Sequence, residues 1–344
     1  MPATIRTPLC DLLGIDLPIL CAGMGWLAGP ELVAAVSEAG GLGVLGNGSG
    51  SREGVELQIG RTRTLTSKPI GLNLVIDVEE SGDVDYLREQ IAVAARLGVG
   101  HFVLFWGEPS PFVEAVRDTG PAKVLMQVGS LEEGAAAAAA GVDAIIAQGV
   151  EAGGHVRGTS SVWDLLPAAV EALAPLPVLA SGGIGDAEGL ARALSLGAQG
   201  VSLGTRFVAS AEADAHAGYK QRIVDARAAD TVYTEDLYVI DWPDAPHRTL
   251  RNEAYAEWDA AGRPPLGQRP REGESIGRMT RPGDEERDWP LYEVGTALGT
   301  FVGDLERAPL WAGESVEVVN DIRPAGEIVR ELAAEAATVL ASSR

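Results

Sequence analysis

PVLASGGIGDAEGLARALSLGAQGVSLGTRF, residues 177–207, holds one complete strand-helix-strand unit with its punctuation in place. The apolar run Pro177–Gly183 reads as a strand, Asp186 as a helix cap, Gly197 as a helix stop, and Gly200–Phe207 as the next strand. The same rhythm extends back through the chain. Pro18–Gly23, Gly41–Gly46, Pro69–Val75, His101–Gly107, Lys123–Val128 and Ala144–Gly149 are short runs rich in Val, Ile and Leu, as strands of a parallel sheet buried on both faces should be. Helix signals lie between them: Pro30 to Gly40, Ser110-Pro111 to Gly120, and Ser130 with Glu133 as a capping box ahead of the alanine run Ala135–Ala140. Eight such units without a long break predict an α/β fold of the closed (β/α)8 barrel type rather than an open doubly wound sheet.

The barrel is assigned to residues 1–210. After Phe207 the rhythm stops, and residues 211–303, with Trp242, Trp258 and a Pro/Arg/Glu-rich loop from Arg263 to Pro290, read as an added, mostly helical lid. Residues 304–344 return to the barrel, ending in a helix after Pro324 whose Ile328, Val329, Leu332, Ala336, Val339 and Leu340 form an apolar stripe.

Composition narrows the function. The 344 residues are 46% hydrophobic, enough for a large core. With 49 acidic against 27 basic side chains the formal charge is −22, which repels nucleic acid phosphates and anionic membrane surfaces. The two cysteines, Cys10 and Cys21, indicate neither a disulfide framework nor a thiolate metal site and fit a reducing cytoplasm. No segment has the length of a signal peptide core or a membrane span.

Barrel enzymes place their chemistry at the C-terminal ends of the strands. In chain order those positions hold Met24 and Trp26, Asn47, Asn73, Trp106, Gln127, then Gln148 with Glu151 and His155, then Ser181-Gly182-Gly183, then Gly204-Thr205. Lys68 and Lys123 precede their strands and Lys220 follows the last, so a Schiff-base lysine is not placed. His101, His155, His216 and His247 are widely spaced and none has metal-site spacing, so no metal is expected. Glu108 and Glu151 leave a two-carboxylate glycosidase formally open.

Two signals remain. Ser181-Gly-Gly-Ile-Gly-Asp186, paired with Ser202-Leu-Gly-Thr205, offers backbone N–H groups and a helix N-terminus to a phosphate, where a lone Gly-Gly would mean only a tight turn. In Gln148-Gly-Val-Glu-Ala-Gly-Gly-His155, two glycines let a ring approach the backbone and a histidine is carried on a mobile loop, where an imidazole of near-neutral pKa can move a proton. Asn73 and Gln148 each pair a donor with an acceptor, which suits the uracil-like edge of an isoalloxazine, although strand-end capping would use them equally.

Pro18-Ile-Leu-Cys-Ala-Gly-Met24, Glu38-Ala-Gly-Gly-Leu-Gly43, Gly71-Leu-Asn73, Gln148 to His155, Ser181 to Asp186, Gly204-Thr-Arg-Phe207 and Leu310-Trp-Ala-Gly313 together resemble the nitronate monooxygenases. That resemblance implies an FMN-dependent barrel that oxidises nitronates, and sometimes nitroalkanes, with O2 to a carbonyl compound and nitrite. By motif, Asn73, Gln148, Gly153, Gly183 and Ser202, Leu203, Gly204 and Thr205 would hold FMN, and His155 would be the catalytic base. Ala22, Gly23, Met24, Gln127, Gly154, Ser181 and Gly182 stand at the same rim and complete the cofactor set. Trp26, Trp106 and Trp242 are candidates for the substrate pocket, with core or lid packing as the alternative. Ala22-Gly23-Met24 departs from the family's frequent Ala-Pro-Met, and Ser202 replaces a frequent glutamine. The first departure, with Gly25-Trp26 after it, looks more like the related FMN-dependent enoyl-acyl-carrier-protein reductases, which draw on NAD(P)H. A third reading is a flavin carrier without turnover. The sequence is compatible with a homodimer.

Overall fold

The computed structural model describes residues 5–46, 52–77 and 84–342. Eight parallel strands close a barrel: β1 (Ile19–Cys21), β2 (Leu42–Gly46), β3 (Ile70–Val75), β4 (His101–Phe105), β5 (Lys123–Val128), β6 (Ala144–Gln148), β8 (Val178–Ser181) and β9 (Gly200–Leu203). β7 (Gly154–His155) lies outside it. The ring closes where β9 pairs with β1, Val201 opposite Ile19. The strands carry apolar side chains on both faces because both are covered. Leu20, Val44, Val103, Leu125, Ile146 and Leu179 fill the interior, while Ile19, Leu72, Leu104, Met126, Ile145 and Val201 meet the helices outside.

A short helix, α1 (Pro8–Leu13), plugs the interior, and its Leu9, Cys10 and Leu13 join the inner cluster. Around the barrel run α2 (Pro30–Glu38), α3 (Arg52–Leu65), α4 (Val84–Arg96), α5 (Ser110–Asp118), α6 (Leu131–Ala140), α7 (Val162–Ala172) and α8 (Ala187–Ser195). The predicted caps are present: the Ser130 hydroxyl accepts from Glu133 N–H at 3.1 Å, and Asp186 Oδ1 accepts from Gly189 N–H at 2.8 Å. The last barrel strand is shorter than expected. It stops at Leu203, and Thr205–Val208 turn into the one-turn helix α9. Asn47 lies outside the described residues.

The segment after the barrel contains helices α10 (Ala217–Asp225) and α11 (Glu253–Ala260) and, beside them, strands β10 (Thr231–Thr234), β11 (His247–Leu250), β12 (Ser275–Met279), β13 (Arg287–Pro290) and β14 (Val302–Gly303). It is therefore mixed rather than mostly helical. The charged Arg263–Pro290 stretch includes a hairpin, β12 against β13, in which Ser275, Arg278 and Asp288 are exposed while Ile276, Met279 and Trp289 are buried. Nor does the segment stand apart from the barrel. Trp26, Leu27, Val208 and Ala209 of the barrel share one buried cluster with Tyr219, Tyr238, Trp258, Trp289 and Trp311. The terminal helix α12 (Ala325–Ser342) packs on α8 and α2. Its Ile328, Val329, Leu332 and Ala336 are buried, and each of the three larger side chains contributes about 1.5–3 kcal/mol. Val339 and Leu340 are only partly covered.

Candidate active site

Alternation along the strands sets the site. In β3 Leu72 and Leu74 face the helices and Asn73 faces in; in β5 Met126 and Val128 flank Gln127; in β6 Ala147 precedes Gln148; in β8 Ala180 precedes Ser181; in β9 Val201 and Leu203 flank Ser202. The C-terminal rim thus turns five polar side chains inward over an apolar plug. They line a cavity of about 700 Å³, well within the ~300–1,000 Å³ of cofactor and ligand sites. Ala22, Gly23, Met24, Gly153, Gly154, Gly182, Gly183, Gly204, Thr205, Trp26 and Trp242 also line it.

The glycines of this rim have distinct jobs. Gly182 and Gly183 have φ of 96° and 69°, a left-handed path that few side chains tolerate. A Cβ on Gly182 would also stand 3.0 Å from the Ala152 nitrogen and the Gly149 oxygen. Gly153 is crossed by the C-terminal segment, and a Cβ there would meet the Gly313 nitrogen at 2.3 Å. Gly313 in turn donates its N–H to Thr205 Oγ1 at 2.9 Å. At Gly154 a Cβ would meet no atom within 4 Å, so the cavity there is open up to the main chain.

His155 does not ride on a mobile loop. Its residue pairs in β7 with His247 of β11, in a three-stranded sheet ordered β10-β11-β7 that ties the loop to the added segment. Gln148 fixes the same backbone from below. Its Nε2 donates to the His155 carbonyl at 3.0 Å, and its Oε1 accepts from Arg157 N–H at 3.1 Å. Both ends of this amide are engaged with the loop, and Gln148 also lines the cavity. Asn73 donates Nδ2 to the Val103 carbonyl at 3.0 Å and keeps Oδ1 as its remaining group.

The imidazole of His155 stands in an aromatic box. Trp242 is stacked on it at 4.1 Å and 36°, Trp311 lies 5.5 Å away, and Trp106 and His247 each 6.1 Å. Nε2 is buried and has no hydrogen-bond partner. Burial first, and the neighbouring His247 second, push the His155 pKa down to about 3, rather than the near-neutral value expected. His247 is wholly buried and burial lowers it to about 4; its Nδ1 donates to the Ala245 carbonyl at 2.9 Å and its Nε2 accepts from Tyr238 N–H at 3.3 Å, which fixes a neutral tautomer.

Two residues assigned to the site fall behind it. Leu203 points into the barrel wall, because alternation that turns Ser202 inward must turn its neighbour out. Trp106 has φ of 64° and packs behind His155, against Phe105 and Trp242 with the Arg157 guanidinium 4.7 Å above it. The carboxylate pair is engaged structurally: Glu108 accepts from Ser110, and Glu151 accepts from Ser161 Oγ and Val162 N–H at the start of α7. Lys220 is buried and donates to the Ser210 carbonyl at 2.7 Å. His101 is buried at the start of β4, and His216 caps α10. Among the described residues no group of His, Cys, Asp and Glu side chains is arranged to hold a metal, and no helix is long and apolar enough to cross a membrane.

Sequence reading missed the wall supplied by the added segment. Arg281, Arg287, Glu293, Tyr219 and Trp311 all line the cavity. The arginines belong to a stretch so rich in charge that it reads as solvated loop, and only the pairing of β12 with β13 brings them inward.

Residues 6–335 match the family model described as nitronate monooxygenase. The (3aS,4S,5R,7aS)-5-hydroxy-7a-methyl-1-oxo-octahydro-1H-indene-4-carboxyl-CoA dehydrogenase of Mycobacterium tuberculosis is 31% identical over 98% of this chain and 97% of its own. A nitronate monooxygenase of Paraburkholderia phytofirmans is 32% identical over 96% of this chain and 95% of its own. Among solved structures, FabK from Thermotoga maritima superposes with a TM-score of 0.78 at 30% identity, covering 99% of both chains.

Proposed function

The chain belongs to the nitronate monooxygenase family of oxidoreductases, and from that premise we propose that it is an FMN-dependent enzyme oxidising alkyl nitronates, and nitroalkanes, with O2 to a carbonyl compound and nitrite. The rim fits the cofactor. Backbone N–H groups at Gly183 and Gly204, the Thr205 hydroxyl and the N-terminus of α8 would hold the phosphate, and Asn73, Gln127, Ser181 and Ser202 would face the ring. The open space at Gly154, where a Cβ would meet nothing within 4 Å, leaves room for a flat ring. When bound, the flavin would supply the electron transfer to oxygen.

The observation that carries the reading is His155 Nε2, buried beside this rim without a partner. The ring is neutral at ordinary pH, so Nε2 is free to take a proton from the carbon next to a nitro group. Burial alone makes it a weak base. Proton transfer, however, forms imidazolium and nitronate side by side in a water-poor pocket, and their attraction offsets the desolvation of each. The β7–β11 pairing, Gln148 and Trp242 hold the ring in place for that step, and the aromatic box excludes water.

The test is to replace His155 and compare neutral nitroalkanes with nitronates formed beforehand. His155→Asn should remain yellow and lose about 10²-fold or more on nitroalkanes, with a smaller loss on nitronates. Equal turnover by the variant across a panel of nitroalkanes would remove the proposed role.

The similarity to a CoA dehydrogenase and to FabK supports a second reading, a flavin reductase or dehydrogenase acting on a thioester. Against a carrier protein stands the −22 charge, since an acyl carrier protein is itself acidic. Anaerobic mixing separates the two readings. Bleaching of the flavin by a nitronate favours the first; rapid bleaching by NADH, NADPH or a saturated acyl-CoA favours the second.

A further inference from the structure

One hairpin of the added segment brings two guanidiniums to the cavity wall. Arg281 follows β12 and Arg287 opens β13. Arg287 is engaged, with both terminal nitrogens on the Glu293 carboxylate. Arg281 is not. Its nearest acid is the same Glu293, at 3.8 Å, beyond hydrogen-bond length. Its Nε is buried with no partner, although the side chain as a whole is 25% exposed. A guanidinium has five donors in a planar fork shaped for carboxylate or phosphate, and leaving buried charged donors unmet is costly.

Charge around the pair points the same way. Glu293 is 4% exposed and is shared by two cations. Asp241 and Asp284 act on both arginines through space, but both are exposed and neither is within ion-pair distance. Water screens them far more than it screens the buried carboxylate. Neither arginine is among the groups that act on His155, whose proton affinity is lowered by burial first and by the neighbouring His247 second. The two guanidiniums and the base line the same cavity.

We propose that Arg281, braced by the Arg287–Glu293 pair, is a specificity residue that binds a carboxylate or phosphate on the substrate's tail, so that the preferred substrates carry an anionic group remote from the reacting carbon. This rests on the reading of the cavity as the reaction site, and the test separates the two claims.

A carboxylate is a planar anion of nearly the same shape as a nitronate, so butyrate and glutarate are redox-inert probes with one and two such ends. Their dissociation constants on the flavin-loaded protein are read by calorimetry, alongside adenosine 3′,5′-bisphosphate as a phosphate-bearing probe. Glutarate, the bisphosphate or both should bind wild type at least about 10-fold tighter than butyrate. That preference should collapse towards unity in Arg281→Met and survive in part in Arg281→Lys, which also guards against a folding defect in the first variant. Preference for glutarate identifies a carboxylate tail; preference for the bisphosphate identifies a phosphate. If butyrate binds and neither other probe gains over it, Arg281 has no such role and the site reading stands. Equal weakening of all three by Arg281→Met places Arg281 at the reacting group and overturns the tail assignment. If none binds, the cavity reading falls and the proposal with it.

Discussion

Acid should unfold this protein earlier than its ion pairs alone would dictate, and His155 should account for a measurable part. In the folded chain its pKa is about 3, against 6.5 for an unperturbed imidazole. A base whose folded pKa is depressed binds fewer protons when folded than when unfolded, so its full contribution to stability is present above pH 6.5. It is lost as the pH falls from there towards 3. At pH 5 the unfolded imidazole gains RT ln(1 + 10^1.5), about 2 kcal/mol, while the folded one stays neutral. His247, at about 4 when folded, adds a similar amount, so the two together cost about 4 kcal/mol between pH 8 and pH 5. Urea titrations of wild type and His155→Gln at both pH values measure the difference. Gln does not titrate, and no hydrogen bond at Nε2 is sacrificed. The loss from pH 8 to pH 5 should therefore shrink by about 2 kcal/mol in the variant, roughly 30-fold in the folding constant. Equal losses in the two proteins, within about 0.5 kcal/mol, would mean that the ring is hydrated and charges freely when folded.

Three further substitutions probe the frame around the site. Gly182→Ala combines a left-handed backbone with a 3.0 Å clash against main chain, so it should lower stability by at least about 1–2 kcal/mol and reduce the flavin-to-protein absorbance ratio of the purified protein. Gln148→Met leaves the His155 carbonyl and Arg157 N–H without their partner; it should cost about 1–3 kcal/mol and slow nitroalkane oxidation while the protein keeps its flavin. Loss of flavin in step with activity would instead return Gln148 to the cofactor. Glu293→Gln removes the one carboxylate between two half-buried guanidiniums and should destabilise by about 3 kcal/mol in urea, an effect that Arg287→Met in the same chain should partly reverse.

The barrel could be read from the sequence because its signals are local. Each strand is an apolar run set by its own residues, and each helix carries its own cap and stop, as Ser130 with Glu133 and Asp186 with Gly189 show. Period-two alternation then dictates that Asn73, Gln127, Gln148, Ser181 and Ser202 reach the rim, since a buried strand gives its side chains only two directions. The same rule, applied one residue further, sends Leu203 outward.

What the chain could not announce locally is everything that depends on contacts between distant segments. His155 looks mobile beside two glycines until His247, far along the chain, pairs with it. Its proton affinity likewise belongs to the fold, because desolvation comes from Trp242, Trp311 and His247, none of them near it in sequence. Arg281 and Arg287 sit in a run that reads as solvated charge, and only the packing of their hairpin over the barrel turns them to the cavity. Local propensity and alternation fixed the barrel and the polar rim; the state of the base and the character of the cavity mouth required burial, which no short segment can specify by itself.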